Sequence, residues 1–111
     1  MDAELTKSFA FSASYARGTR SIGSNYIFSL TLPVLSEAEE KEFETTVQSE
    51  LISQLHTRDL SSSVIFLKGV EMNDEALLRA FWDRLSGPLA RFRLRRLALQ
   101  RDSRTVTTLH L

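Results

Sequence analysis

Few side chains in this sequence could carry catalytic or metal chemistry. The chain has no cysteine, which excludes thiol nucleophiles, thiolate metal ligands and disulfides. Its two histidines, His56 and His110, are far apart in the sequence, so a metal site would need both of them plus carboxylates, from different subunits if necessary. Separate packed or solvated histidines are the simpler interpretation. Phosphate-loop, G-x-S-x-G and H-E-x-x-H motifs do not occur.

Charge is segregated along the chain although the totals cancel, with 14 Lys plus Arg against 14 Asp plus Glu. Residues 36–50 hold six glutamates and one lysine, whereas residues 91–104 hold six arginines and one aspartate. The arginines could grip phosphate or nucleic acid, because guanidinium groups bind phosphate in a fork. A compensated chain lacks the overall field of a dedicated nucleic-acid binder, so nucleic acid is the less favoured partner. The alternative is that the acidic and basic segments pair, within or between subunits, or are solvated.

Length and composition favour one soluble domain over residues 1–111. The chain is 42% hydrophobic and 25% charged, which is ordinary for a globular fold. It shows no export signal and no apolar run long enough for a membrane helix. We therefore expect a cytoplasmic protein without a membrane partner.

Two alternating stretches near the N-terminus predict a β-hairpin. Residues 5–15 place their apolar side chains on one face, with Lys7 as the only break, and residues 26–32 do the same. The segment 17–21 reads as the turn between them. Ile27 and Val34 fall on the outer side.

Two amphipathic helices are predicted next. Ser36 and Glu39 form a capping box that begins a helix of about 18 residues. Its apolar residues recur at intervals of four, and they are Phe43, Val47, Leu51 and Leu55. A second helix begins at Asn73 or Asp74 and ends before Gly87-Pro88, with a core-facing row at Leu77, Phe81, Trp82 and Leu85. The connection over residues 56–72 is longer than a simple link requires.

The C-terminal segment predicts a second hairpin, formed by residues 94–100 and 105–111. Arg95-Arg96 interrupts the alternation between Leu94 and Leu97, which predicts a β-bulge. The order β-β-α-α-β-β indicates an α+β fold, an antiparallel four-stranded sheet with two helices on one face. Such a sheet has two edges to protect, and pairing them with neighbouring copies would do so.

Four short segments occur within this order of elements: F-S-A-S-Y at 11–15, G-S-N-Y at 23–26, L-H-T-R-D-L-S at 55–61 and M-N-D-E-A-L at 72–77. With that order, they resemble the tunnelling fold of the 6-pyruvoyl-tetrahydropterin synthase and 6-carboxy-tetrahydropterin synthase family. F-S-A-S-Y at residues 11–15 is similar to the family's F-S-A-S/A-H, and G-S-N-Y at 23–26 to its G-H-N-Y. L-H-T-R-D-L-S at 55–61 lies where the family has L-D-H-x-N-L-N, and M-N-D-E-A-L at 72–77 where it has P-T-x-E-N-L. The resemblance spans roughly residues 9–102 in the right order.

The resemblance also marks departures at the family's catalytic positions. Its three zinc-binding histidines correspond to Tyr15, Ile22 and Ser24, which are poor zinc ligands or none. Its cysteine nucleophile has no counterpart. We therefore expect no zinc and no other cofactor.

The remaining site residues follow from the same alignment. The family's proton-transfer histidine falls at Thr57, and a shift of one residue would give that role to His56, with Asp59 as a carboxylate to orient it. The glutamate that anchors the pterin's N–H edge falls at Arg101, with Gln100 as the adjacent alternative, and Glu75 matches the glutamate of the helix motif.

Three functions are compatible with these residues. The first is a homo-oligomer, a trimer or hexamer-type ring, that has lost zinc-dependent synthase activity and binds a pterin- or purine-like heterocycle between subunits. The second is a metal-independent lyase or aldolase on a pterin-like substrate, with His56, Asp59 and Tyr15 as its catalytic groups. The third is an anion- or nucleic-acid-binding module that uses the arginine-rich C-terminal hairpin.

Overall fold

The computed structural model describes residues 3–111 and contains one four-stranded antiparallel sheet in the order β1-β2-β3-β4. The strands are β1 (Glu4–Arg17), β2 (Arg20–Pro33), β3 (Arg96–Arg101) and β4 (Thr105–His110). The α-helices are α1 (Glu37–Val47), α2 (Ser53–Leu55) and α3 (Asp74–Leu85), with a π-helical segment at Gln48–Ile52 and a 3-10 helix at Ile65–Leu67. The core lies between one sheet face and the helices. The predicted α+β class and element order are confirmed.

The first hairpin is longer and its turn tighter than the alternation predicts. The ladder runs from Glu4 opposite Pro33 to Arg17 opposite Arg20. Only Gly18 and Thr19 remain for the turn, and Gly18 has the positive φ of 63° that favours glycine. The sequence pattern missed these ends because backbone pairing continues where the side chains no longer alternate.

The first helix begins at the predicted capping box and contains a π-helical segment. Ser36 Oγ accepts from the Glu39 N–H at 3.2 Å, and Glu39 Oε1 accepts from the Ser36 N–H at 3.1 Å. These bonds lower the pKa of Glu39. The helix then runs from α1 through the π-helical residues Gln48–Ile52 into α2.

The π-helical segment explains the apolar row with four-residue spacing. In a regular α-helix, residues four apart rotate by about 40° per step away from a common face. The wider π-turn takes up this drift. The whole row is fully buried: Phe43, Val47, Leu51 and Leu55.

Helix α3 follows the predicted pattern. Asn73 caps its start by accepting from the Ala76 N–H at 2.8 Å. Phe81 is fully buried, and its ring packs edge-on against Phe28 with centroids 5.6 Å apart. Trp82, predicted for the core, is only partly buried.

The second hairpin forms, and its first strand begins irregularly at the position of the predicted bulge. The β2-β3 register runs without interruption from Thr31 opposite Arg96 to Tyr26 opposite Arg101. Just before this register, the Arg95 N–H donates to the Thr31 carbonyl at 2.8 Å although Thr31 lies opposite Arg96. Two arginines therefore oppose one residue of β2, as the predicted bulge requires. Asp102 and Ser103 occupy the β3-β4 turn with positive φ values of 51° and 58°.

The loop after the first helix covers part of one sheet edge. Residues 56–61 lie beside β1, where the Ser14 N–H donates to the Arg58 carbonyl at 3.0 Å and the Leu60 N–H donates to the Ser14 carbonyl at 2.6 Å. The chain thus protects the C-terminal half of this edge itself. Within residues 3–111, no helix is long and apolar enough to cross a bilayer.

Candidate functional site

The three positions aligned with zinc ligands converge at one end of the sheet. Tyr15 lies directly opposite Ile22 in the β1-β2 ladder, and Ser24 lies opposite Ala13. Because side chains alternate along a strand, all three face the helix-covered side of the sheet. Tyr15 and Ser24 are buried there.

Arg101 and Asp74 complete this end of the sheet. The Arg101 Nη1 donates to the Tyr15 hydroxyl at 3.2 Å, and its Nε lies 3.6 Å from Asp74 Oδ2. Asp74 reaches the site from the first turn of α3, and its side chain is only 9% exposed. A cavity of about 390 Å³ opens between these groups, with Met72 and Asn73 in its wall.

Tyr26 lies behind these groups with its hydroxyl unsatisfied. Its side chain is 1% exposed, and its oxygen finds no hydrogen-bond partner among the residues described. Burial, followed by the negative charge of Asp74, raises the pKa of Tyr26 to about 12. We call Tyr15, Tyr26, Asp74 and Arg101 the sheet-end site.

The sheet-end site does not fit zinc. Ile22 offers no ligand atom, and the Tyr15 oxygen already accepts a bond from a guanidinium, whose positive charge opposes a bound cation. A second cavity beside it, of about 260 Å³, is lined by Arg17 and Arg104. In the part of the chain that the structure describes, histidine, cysteine and acidic side chains nowhere cluster in threes that could hold a metal ion.

His56 and Asp59 lie on the covering loop but serve different bonds. The His56 Nδ1 accepts from the Ser12 N–H at 3.1 Å, which leaves the ring proton on Nε2. Asp59 accepts from the Ser61 N–H at 2.9 Å and from the Ser61 hydroxyl at 2.5 Å, and these bonds lower the pKa of Asp59. Among the described hydrogen bonds, none joins any two of His56, Asp59 and Tyr15.

The predicted ligand-binding residues point in three directions. Arg101 faces the sheet-end site, whereas Gln100 pairs with Ile27 and lies on the opposite, outer face. Glu75 is exposed and forms an ion pair with Arg79 at 3.2 Å. Sequence reasoning missed Asp74 and Tyr26. The only available signal for Asp74 was its place one residue after a helix cap.

Ion pairs within the chain use part of the segregated charge. Arg91 pairs with Glu42 of α1, which joins the basic segment to the acidic helix. Arg96 pairs with Glu4 at 3.6 Å. Lys7, the break in the first strand's apolar row, pairs with Glu44 at 2.6 Å, and its acidic neighbours raise the pKa of Lys7. Among the described ion pairs, one joins the two segments, and the other charged residues of these segments that pair do so with partners elsewhere in the chain.

Comparison with known proteins shows which solved structures share this fold. No protein-family model matches the chain, and no curated protein sequence matches it. The 6-pyruvoyl tetrahydropterin synthase of Caenorhabditis elegans superposes with a TM-score of 0.76 at 13% identity, over 98% of this chain and 95% of that one. The Plasmodium vivax enzyme gives 0.59 at 14% identity over 100% and 98%. The Plasmodium falciparum enzyme gives 0.58 at 11% identity over 99% of each chain. The chain therefore has the tunnelling fold of these synthases, as the sequence resemblance predicts.

Proposed function

We propose that this chain, built on the fold of the 6-pyruvoyl tetrahydropterin synthases, is a homo-oligomer that binds a pterin- or purine-like heterocycle at the sheet-end site and lacks the zinc-dependent synthase reaction. One observation carries the proposal. At the end of the sheet where the resemblance implies zinc and a pterin anchor, the chain holds a cavity lined by Asp74 and Arg101, and the Asp74 carboxylate accepts no hydrogen bond from a described residue. The proposed location is the cytoplasm, because a chain without cysteine has no disulfide that a reducing compartment could break.

The argument against synthase chemistry rests on the donor atoms. A zinc ion can lower the pKa of a bound water and polarise a substrate carbonyl only if the protein holds the ion through nitrogen, sulfur or carboxylate ligands. Tyr15, Ile22 and Ser24 supply none of these. The chain also has no thiol to serve as a nucleophile.

The argument for a heterocycle rests on size and polarity. A cavity of about 390 Å³ lies within the usual range for small-ligand sites. Burying a polar group without a partner costs about 1–3 kcal/mol, so such groups are usually satisfied by something. A flat ring with N–H and C=O groups on its edge would satisfy them.

Open strand edges support self-association. Ser14 directs its backbone N–H and C=O away from β2, and alternate residues of a strand direct these groups to the same side. The backbone groups of Thr6, Ser8 and Ala10 therefore also point outward, and no described residue pairs with them. Leu111 donates to Arg95, so the alternate residues of β4 direct their backbone groups outward. These residues are Val106, Thr108 and His110. Antiparallel pairing of β4 with β1 of another copy would join both rows into one sheet, and repetition would close a trimer, alone or stacked as a hexamer.

Light scattering after size exclusion tests the assembly. We expect a trimer or hexamer for the parent chain and a smaller species for Ser8→Pro, because proline removes the outward N–H donor. Ser8→Ala is the matched control, since it removes the hydroxyl but keeps that donor. Thr108→Pro tests the other edge independently. A monomeric parent, or edge variants of unchanged mass, would contradict the assembly.

Ligand screening and metal analysis test the site. A heterocycle present at one hundred times its Kd should raise the free energy of unfolding by about 2.7 kcal/mol. We expect this response from at least one pterin or purine, and no turnover of dihydroneopterin triphosphate. One tightly held zinc ion per chain after growth in zinc-supplemented medium would overturn the proposal, and so would the lack of any response to a heterocycle.

Anion binding is a second candidate because of the neighbouring cavity. Arg17, Arg101 and Arg104 line that cavity together with one acidic residue, Asp102. Salt-sensitive binding of phosphate or oligonucleotides, combined with indifference to neutral heterocycles, would favour this candidate.

A further inference from the structure

We propose that the sheet-end site recognises a lactam edge, an N–H beside a C=O, and does not require an exocyclic amino group. Asp74 would accept from the ring N–H, and Arg101 would donate to the ring carbonyl. This inference rests on the proposed function and names the ligand chemistry of that site. It assigns recognition to a charge pair supplied by two elements, α3 and β3.

Asp74 is the first half of the argument. Its carboxylate is more than nine-tenths buried, and no described residue donates a hydrogen bond to it. The nearest cationic atom, Arg101 Nε, is 3.6 Å away, beyond hydrogen-bond distance. Its position in the first turn of α3 places it near the positive end of the helix dipole, but this does not supply the missing donor. The site therefore lacks an N–H that a ligand could bring.

Arg101 is the second half. A guanidinium has five N–H donors and no acceptor, and one of these donors is spent on the Tyr15 hydroxyl. Arg101 lines the same cavity as Asp74. An edge with two N–H donors would point one of them at this cation, which cannot accept it. An edge with one donor and one acceptor satisfies both residues.

The Tyr26 hydroxyl is a further hydrogen-bond donor at this end of the sheet. This buried hydroxyl, without a partner among the described residues, keeps its proton because burial, and after it the charge of Asp74, raises the pKa of Tyr26. It is therefore a donor, as Arg101 is. Tyr26 lies behind the cavity and outside its lining, so the ligand edge is matched to Asp74 and Arg101.

Isothermal titration with matched ligands tests the lactam edge in both ring systems. The probes are pterin, 2-deaminated pterin and its N3-methyl derivative, with guanine, hypoxanthine and 1-methylhypoxanthine as the purine series. We expect removal of the amino group to weaken binding by less than threefold and N-methylation to weaken it at least tenfold, because the methyl group leaves Asp74 unpaired. A larger loss on deamination, or a smaller loss on methylation, would overturn the inference. Failure of every probe to bind would instead overturn the proposed function.

A variant cycle assigns the N–H to Asp74. In Asp74→Ala the methylated and unmethylated probes should bind within threefold of each other, because the group that distinguishes them is gone. Asp83→Ala, an exposed carboxylate on the same helix, should keep the full discrimination. Asp74→Asn repeats the cycle with the side-chain size retained, in case the alanine variant fails to fold. Persistence of tenfold discrimination in a folded Asp74 variant would refute the assignment.

Discussion

Replacement of Tyr26 by phenylalanine isolates the energetic effect of one unsatisfied hydroxyl. The side chain is 1% exposed and its oxygen has no partner among the described residues, so the substitution removes a polar atom and no hydrogen bond. A buried hydroxyl without a partner costs roughly 1–3 kcal/mol. At pH 7 we therefore expect Tyr26→Phe to leave the free energy of unfolding unchanged or to raise it by about 1 kcal/mol.

The same substitution should change the alkaline pH dependence of stability. The pKa of Tyr26 is raised from 10.0 to about 12, so between these pH values the unfolded chain has lost a proton that the folded chain keeps. The unfolded state then binds fewer protons, and the free energy of unfolding falls as the pH rises. Two pKa units correspond to about 2.7 kcal/mol, fully present below pH 10 and lost by pH 12. Tyr26→Phe should escape this loss.

Urea denaturation at pH 7 and at steps from pH 9 to 12, followed by Trp82 fluorescence, measures both effects. Tyr15→Phe is the matched control, because it removes a hydroxyl that accepts from Arg101, and we expect it to lower stability by about 1–2 kcal/mol at pH 7. A loss of more than about 1 kcal/mol in Tyr26→Phe at pH 7, or parallel alkaline profiles of parent and variant, would refute the reasoning.

Three further predictions concern the loop, the π-helical segment and the metal positions. Thr57→Gly should raise the free energy of unfolding by about 0.5–1 kcal/mol in thermal denaturation, because Thr57 has a φ of 62° where a β-branched side chain is strained; lower stability would contradict this. Deletion of Ser49 should convert the π-turn to α-helix and change the free energy of unfolding by less than about 1 kcal/mol. An alanine inserted after Ser49 should instead rotate the following buried leucines by about 100° and lower the free energy of unfolding by roughly 3 kcal/mol or more. Equal midpoints of urea denaturation for the two variants would disprove the explanation of the π-turn. The triple substitution Tyr15→His, Ile22→His and Ser24→His should bind one zinc ion per chain by metal analysis and raise the melting temperature when zinc is added, and failure to bind zinc would show that the backbone does not hold the ligand geometry.

Local periodicity predicted most of the fold. The capping box at Ser36, the four-residue row from Phe43 to Leu55 and the alternation of β1 depend on neighbouring residues only, and the structure has all three. The errors lay where the pattern is silent. The ends of the first hairpin extend beyond the predicted strands, because strand ends are set by backbone pairing with the next strand, which side-chain alternation does not report.

The candidate site divides in the same way. Parity along β3 was enough to place Arg101 on the core-facing side and Gln100 on the outer side, once the strand was recognised. The sequence could not choose between Asp74 and Glu75 as the carboxylate that enters the site, because both lie in the first turn of α3. The way α3 packs on the sheet made that choice, burying Asp74 beside Arg101 and leaving Glu75 paired with Arg79.

The sequence by itself determined the order of elements, the face that each one buries, and the absence of imidazole and thiol from the aligned catalytic positions. Only the tertiary structure decided that the loop at residues 56–61 covers half of the β1 edge, and that the Tyr26 hydroxyl and the Asp74 carboxylate are buried without a hydrogen-bond partner in the described chain. The physical reason is the sequence separation over which each property acts. Side-chain periodicity is a property of a few consecutive residues, whereas burial and hydrogen bonding join residues dozens of positions apart that only packing brings together.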